Sequence, residues 1–338
     1  MQTLYYPAWD TLEIAEQPVP KIAADEVLLK VSACGICGSE LEGFKNRSPR
    51  RTPPRVMGHE FCGTVVETGT EVDGIARNSR VVSNSVATCG DCKPCQRGNT
   101  HLCERRQIFG MHRDGAFAQY IAVPASCLID WPESLPAQAA CLAEPLANGV
   151  HVANLVQHLQ PQKIVVIGVG PIGLMCQQTA QALLDAQVLA TDFIDARLRV
   201  AQRLGASAAV NGTSENLAEA VVEWTDGEGA DVVIDAAGSA ASKNASLEIA
   251  RPGGAAVWIG LHENEMTLPT YDITLPEKVV FGSYAATLDE LKKAVQLMAS
   301  EQVEVQSWVQ IFALSQGVEA FQRMLAAQGD DIKAVLLP

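Results

Sequence analysis

The chain is 338 residues long, 48% hydrophobic and 19% charged, enough to bury a large core and better suited to two domains than one at about 100–200 residues each. A formal net charge of -14 argues against a general nucleic-acid binder or a binder of anionic membranes, since both need a basic footprint. No apolar segment of signal length or membrane-spanning length is read in the sequence, so the ten cysteines are expected to be thiols or metal ligands in a reducing, cytoplasmic compartment rather than a disulfide framework.

Residues 1–33 mix short strand candidates, such as 27–33, with Pro18 and Pro20, and look like the rim of an antiparallel, β-rich domain. Val27, Leu29 and Val31 share one side of a strand that runs into Cys34 and Cys37, so a ligand there would end a rigid element. The Cys-x-x-Cys spacing also permits a redox pair or a two-ligand zinc knuckle, and spacing alone does not choose between the two cysteines. Gly58-His59-Glu60 follows, at the head of a strand and turn expected over 61–69. One thiolate, one imidazole and one carboxylate form a mixed set that suits zinc in a reactive site. Between them, 45–55 carries Lys45, Arg47, Arg50, Arg51 and Arg55; its prolines predict a loop. That loop is either a solvated turn that contacts another subunit or a patch that attracts a phosphorylated substrate.

Cys89, Cys92, Cys95 and Cys103 follow a C-x2-C-x2-C-x7-C spacing in a lobe of about 86–106. Four thiolates so spaced predict a closed structural zinc site, with an iron–sulfur cluster as the chemical alternative. Residues 115–124 alternate as a strand and 133–156 turn helical, placing Glu144 in apolar surroundings where a carboxylate must be paired or near a metal. His151 follows on an apolar helix face and reads as a packed or cofactor-side histidine.

The apolar strand 163–168 leads into Gly168-Val169-Gly170-Pro171-Ile172-Gly173 and a helix to about 184. Gly168, Gly170 and Gly173 supply the tight turn, the room for a pyrophosphate and the close helix–strand approach, with Pro171 and Ile172 opening the helix whose N–H groups face the phosphates. Asp192 closes the next strand, where an acid binds the adenosine ribose hydroxyls and repels a 2′-phosphate, which predicts NAD over NADP. Arg197 and Arg199 place positive charge beside it. Strands and helices then alternate to about 261, the pattern of a doubly wound parallel sheet. After 280–287 come a helix over 288–300, a strand near 303–309, a helix over 315–328 and a final strand over 332–338, expected to return to the first domain.

Taken together, Gly35 to Glu40, Gly58 to Gly63, the cysteine quartet, Glu144 to His151 and Gly168 to Gly173 resemble the zinc-containing medium-chain dehydrogenases, in their polyol (sorbitol), threonine and sugar-alcohol-phosphate branches. The resemblance covers nearly the whole chain. It implies an α/β fold with a Rossmann domain at 147–283, a β-rich GroES-like catalytic domain at 1–146 and a C-terminal return at 284–338. It further implies two zinc ions per subunit and NAD, and a homodimer or homotetramer acting on a small-molecule alcohol. Cys37 becomes the zinc ligand rather than Cys34, His59 the second, and Glu60 and Glu144 the carboxylates at the metal. Ser39 matches the hydroxyl that passes the alcohol proton onward.

Two departures stand out. Glu40 replaces the family's usual aspartate and remains able to orient His59, and Glu42 stands where many polyol and threonine enzymes have a histidine. The implied reaction is reversible oxidation of a secondary alcohol of a polyol, free or phosphorylated, to the ketone. L-threonine 3-dehydrogenase or another zinc alcohol dehydrogenase is the alternative within enzymes. A non-catalytic nucleotide sensor is the alternative of another class.

Overall fold

The strand Glu26–Gly35 is paired along both of its edges in the computed structural model, which describes residues 1–326 and 331–338. Glu60–Thr68 runs antiparallel to it on one side, and Tyr120–Pro124 followed by Lys333–Leu337 on the other. Val27, Leu29 and Val31 are buried on one face, and Leu28 on the other, where Lys30 is exposed. This sheet continues through Arg80–Ser83 and Leu128–Asp130 at one end and Val309–Ala313 at the other. A smaller sheet orders Thr11–Glu16, Gln2–Ala8 and Arg55–Val56. Together these form a unit made of Met1–Ala147, Ala286–Glu301 and Val305–Pro338. Its core gathers Leu4, Tyr6, Leu29, Met57, Phe61, Phe117, Phe321 and Leu336.

The second unit comprises Asn148–Ala285 and Gln302–Glu304. Its six strands are parallel, in the spatial order Ala208–Asn211, Gln187–Asp192, Lys163–Ile167, Ala230–Asp235, Ala250–Trp258 and Val279–Gly282. Numbered along the chain this order is 3-2-1-4-5-6, the doubly wound arrangement that changes direction between the first and fourth strands. Val165, Ile167, Leu189, Val210 and Val233 form one of its cores. The expected α/β class, with a Rossmann sheet in one unit and a β-rich GroES-like architecture in the other, is what the structure shows.

Two local expectations shift, and one helix appears that the sequence reading left unassigned. The strand expected near 303–309 lies instead at Val309–Ala313; Val303, Val305 and Trp308 are buried from an irregular segment, which mimics strand alternation. The helix Gly38–Lys45 follows Cys37, although Gly38 and Gly43 lower its intrinsic propensity. The last helix is Gly317–Ala326; the end of the expected 315–328 helix lies outside the described residues. No helix among the described residues is long and apolar enough to cross a membrane, and all ten cysteines are free thiols.

Candidate active site

Cys37 sits where the Glu26–Gly35 strand gives way to the Gly38–Lys45 helix, as its N-cap. Its donor atom and those of His59 and Glu60 all lie within 4.8 Å of one another. Glu40, fully buried, ties these elements together. Its Oε2 accepts from the Cys37 backbone N–H at 3.0 Å, and its Oε1 accepts from the Gly58 N–H at 2.8 Å and pairs with His59 Nδ1 at 2.9 Å. Burial alone would raise the Glu40 pKa; His59, Arg51 and the Cys37 N–H overcome it and pull the carboxyl down to about 2. With Nδ1 engaged, the other ring nitrogen of His59 is free to serve as a ligand, as a second-sphere carboxylate ordinarily arranges.

Glu60 begins the strand Glu60–Thr68, and its Oε2 is ion-paired with Lys333 Nζ. Gly35, opposite Glu60 in the ladder, makes this possible: a Cβ there would stand 2.1 Å from Glu60 Oε2 and 3.2 Å from Lys333 Cε. Glu144 lies outside the three-donor cluster, in the first turn of the helix Ala143–Val156. Its carboxyl is pushed above the usual range by burial first; among the charges nearby, His59 lowers it and Glu60 raises it, and a Ser85 hydrogen bond lowers it. Ser39 is exposed and donates to Cys37 Sγ at 3.4 Å.

The donor set fits zinc. Burial works against a charged imidazole, yet Glu40 and Cys37 hold the His59 pKa well above its ordinary value, so the surroundings are strongly negative. A thiolate, an imidazole and a carboxylate in such a field suit a borderline divalent ion. At the quartet, Sγ separations are 4.0 Å for Cys89–Cys95, 3.4 Å for Cys92–Cys95, 3.8 Å for Cys92–Cys103 and 3.4 Å for Cys103–Cys89. A tetrahedron with Zn–S bonds of about 2.3 Å has edges of about 3.8 Å, so the four sulfurs already outline one.

In the second unit, Gly170 is the N-cap of the helix Pro171–Leu184. A Cβ on Gly173 would come 1.9 Å from Gly168 O, whereas one on Gly170 would meet nothing within 4 Å. Gly173 thus serves the close helix–strand contact, and Gly170 leaves open the space that a pyrophosphate would need. Asp192 Oδ2 accepts from the Val169 N–H at 3.0 Å, and Oδ1 from the Phe193 and Ile194 N–H groups at 2.8 and 3.0 Å. Arg197 Nη1 lies 3.8 Å from Asp192 Oδ2. The expected ribose ligand is therefore also the clasp that holds the glycine-rich turn.

The basic loop, expected to be either a solvated turn or a patch for a phosphorylated substrate, is not uniformly exposed. Arg51 is 1% exposed, and Arg47 is bonded to Asp10. Lys45 and Arg50 remain exposed and Arg55 half-buried. Burial lowers the His112 pKa, and so does positive charge on Arg55, Arg106 and Arg51, which extends a positive field beyond the loop. Lys333, within 4 Å of Glu60, escaped the sequence reading; a lysine inside the apolar run 332–337 was the available signal.

Residues 23–133 match the family model for the alcohol dehydrogenase GroES-like domain, and residues 171–300 the model for zinc-binding dehydrogenase. A D-arabitol-phosphate dehydrogenase of Enterococcus avium is 34% identical over 98% of this chain and 95% of its own length. An L-threonine 3-dehydrogenase of Caldanaerobacter subterraneus is 36% identical over 80% of this chain and 77% of its own. Galactitol-1-phosphate dehydrogenase from Escherichia coli superposes with a TM-score of 0.91 at 26% identity, covering 100% of both chains.

Proposed function

The chain belongs to the zinc-dependent alcohol dehydrogenase family, and from that premise we propose that it oxidises a secondary alcohol of a polyol or sugar-alcohol phosphate to the ketone, reversibly and with NAD⁺. Its being an enzyme that uses zinc and a nicotinamide dinucleotide follows from the family; the substrate, the choice of NAD and the residue roles are our reading. Cys37, His59 and Glu60 are assigned to the catalytic zinc with Glu144 as a further carboxylate, and Cys89, Cys92, Cys95 and Cys103 to the structural one. The observation that carries this is the convergence of the Cys37, His59 and Glu60 donors within 4.8 Å, with exposed Ser39 beside them.

When bound, zinc supplies Lewis acidity that makes the substrate hydroxyl easier to deprotonate. Ser39 takes the hydroxyl proton and releases its own to solvent. Glu40 keeps His59 oriented from behind, and Lys333 holds Glu60 in place. Gly168, Gly170, Pro171, Ile172 and Gly173 cradle the cofactor pyrophosphate, with Asp192 and Arg197 at the adenosine ribose. The two electrons of the carbon–hydrogen bond leave with the hydride, so one alcohol and one NAD⁺ give one ketone, one NADH and one proton.

Two facts favour a phosphorylated substrate: the E. avium relative acts on an arabitol phosphate, and Arg55 and Arg106 set a positive field around His112. L-threonine is the second reading, favoured by the 36% identity to a threonine enzyme. A homodimer or homotetramer is proposed as well, with exposed Leu261, Tyr271 and Leu275 of the second unit as the apolar residues offered to a contact between copies. Cytoplasmic location accords with the free thiols.

A panel of xylitol, sorbitol, D-arabitol, galactitol, their phosphates and L-threonine, each with NAD⁺ and NADP⁺, tests the reading. Fastest turnover of a polyol or its phosphate with NAD⁺ is expected; preference for L-threonine would replace the substrate assignment, and no turnover at all would remove it.

A further inference from the structure

Arg51 lies between the Gly38–Lys45 helix and the Arg55–Val56 strand and is among the largest fully buried side chains of the first unit. A guanidinium is costly to bury unless its charge and donors are matched. Its Nη1 donates to Gly110 O at 2.6 Å and stands 3.7 Å from Glu40 Oε1, and its Nη2 donates to Ser39 Oγ at 3.5 Å. Gly43 thins the helix where the side chain passes: a Cβ there would meet Arg51 Cδ and Nε at 3.2 Å. The fork is thus held on three sides, with one prong on the hydroxyl beside Cys37.

We propose that Arg51 is a positioning residue that sets the hydrogen-bond polarity of Ser39, so that this hydroxyl meets the substrate alcohol as an acceptor. The inference rests on the reading of Ser39 as the group that takes the alcohol proton. A hydroxyl has one proton and two lone pairs, while a guanidinium only donates and is not deprotonated in proteins. Arg51 therefore occupies one lone pair and cannot take the proton itself. The Ser39 proton is directed at Cys37 Sγ, 3.4 Å away, and the second lone pair is left for the substrate hydroxyl. As that proton arrives on Ser39 Oγ, the original one turns from Cys37 Sγ to water on the exposed side of Ser39, because the inward direction is closed by a cation. A lysine at 51 would keep the charge near Glu40, but a single ammonium lacks the planar fork that reaches Gly110 O and Ser39 Oγ together.

The test uses full-length Arg51→Lys, Ser39→Ala and the double variant. In the first arm, cobalt(II) replaces zinc at the Cys37 site while the cysteine lobe retains zinc, and the thiolate-to-cobalt charge-transfer band is recorded. Ser39→Ala removes a donor to Cys37 Sγ and shifts the band to lower energy. Arg51→Lys is expected to shift it in the same direction, and the double variant no further than Ser39→Ala alone. In the second arm, with the best alcohol of the panel, Arg51→Lys is expected to lower kcat about tenfold or more, as loss of a positioned proton acceptor does, with KM nearly unchanged and no added loss in the Ser39→Ala background. Gly43→Ala, which presses on Arg51 without altering charge, replaces Arg51→Lys should that variant melt early; the same band shift is expected. An unmoved band, or a kcat loss of equal size with and without Ser39, overturns the proposal. Should the wild type oxidise no alcohol, the proposed function fails alone, and the cobalt band still decides about Arg51.

Discussion

Lys333 Nζ is ion-paired with Glu60 Oε2 where both side chains are sealed from solvent, 2% and 1% exposed. The two residues reach each other because Gly35 leaves out a side chain between them. Removing one partner of a buried pair strands the other charge, at about 3–5 kcal/mol. Lys333→Met is therefore expected to lower the melting midpoint of the metal-free protein by several degrees, and Lys333→Arg much less. Equal melting of Lys333→Met and wild type would show that Glu60 finds another partner.

Asp231 makes the corresponding test in the second unit. Its Oδ2 accepts from the Gln162 and Lys163 N–H groups at 2.8 Å each, and its Oδ1 accepts from Arg251 Nε at 2.7 Å. Burial opposes its ionisation, but Arg251 and the two N–H groups outweigh burial and hold the pKa below the ordinary aspartate value. A depressed folded pKa means stability that is present above the unfolded pKa of about 3.9 and is lost as pH falls through the folded value. Asp231→Asn is expected to cost about 1–2 kcal/mol near pH 7, with the gap to wild type constant down to about pH 5 and closing below about pH 4. Denaturant melts across that range measure it; a gap that widens in acid contradicts the assignment.

Much of the site was legible because its chemistry is written in short spacings. The Gly168 to Gly173 turn follows an apolar strand that the structure places at Lys163–Ile167, and the four cysteines converge as their spacing implies. The rest depends on contacts that spacing does not encode. Arg51 sits among arginines and prolines that read as a solvated loop, and its burial comes from Gly43, Glu40 and Gly110 meeting around it. Lys333 lies far along the chain from Glu60 and joins it only because the last strand pairs with Cys34 and Gly35. The Gly38–Lys45 helix is held by its N-terminal contacts, with Glu40 accepting from the Cys37 N–H, rather than by propensity.

Asp192 carries two tasks that one substitution can separate. On the proposed reading its charge meets the adenosine ribose of the cofactor, while its oxygens hold the N–H groups of Val169, Phe193 and Ile194. Asp192→Asn keeps an accepting oxygen for the turn but removes the repulsion felt by a 2′-phosphate. NADH affinity is expected to fall and NADPH affinity to rise, so that their ratio changes by about tenfold, or about 1.4 kcal/mol. Fluorescence titration of both cofactors reads the ratio directly. Equal loss of the two would mean that the turn, rather than the charge, governs binding.

The cysteine lobe is expected to answer to metal in its stability more than in its chemistry. Four sulfurs 3.4–4.0 Å apart hold a segment whose regular structure is little more than the short helix Lys93–Gln96 and the turn Thr100–Leu102. So small an element, if the quartet holds zinc as proposed, would draw folding free energy from that ion. Cys95→Ser should lower zinc content by one ion per chain and speed proteolysis within residues 86–106. Turnover per remaining catalytic zinc should change by less than about tenfold, because Cys37, His59 and Glu60 belong to other elements. Zinc content, limited proteolysis and kcat measured on one preparation decide it: intact resistance to protease after loss of that ion would refute a structural role for the quartet.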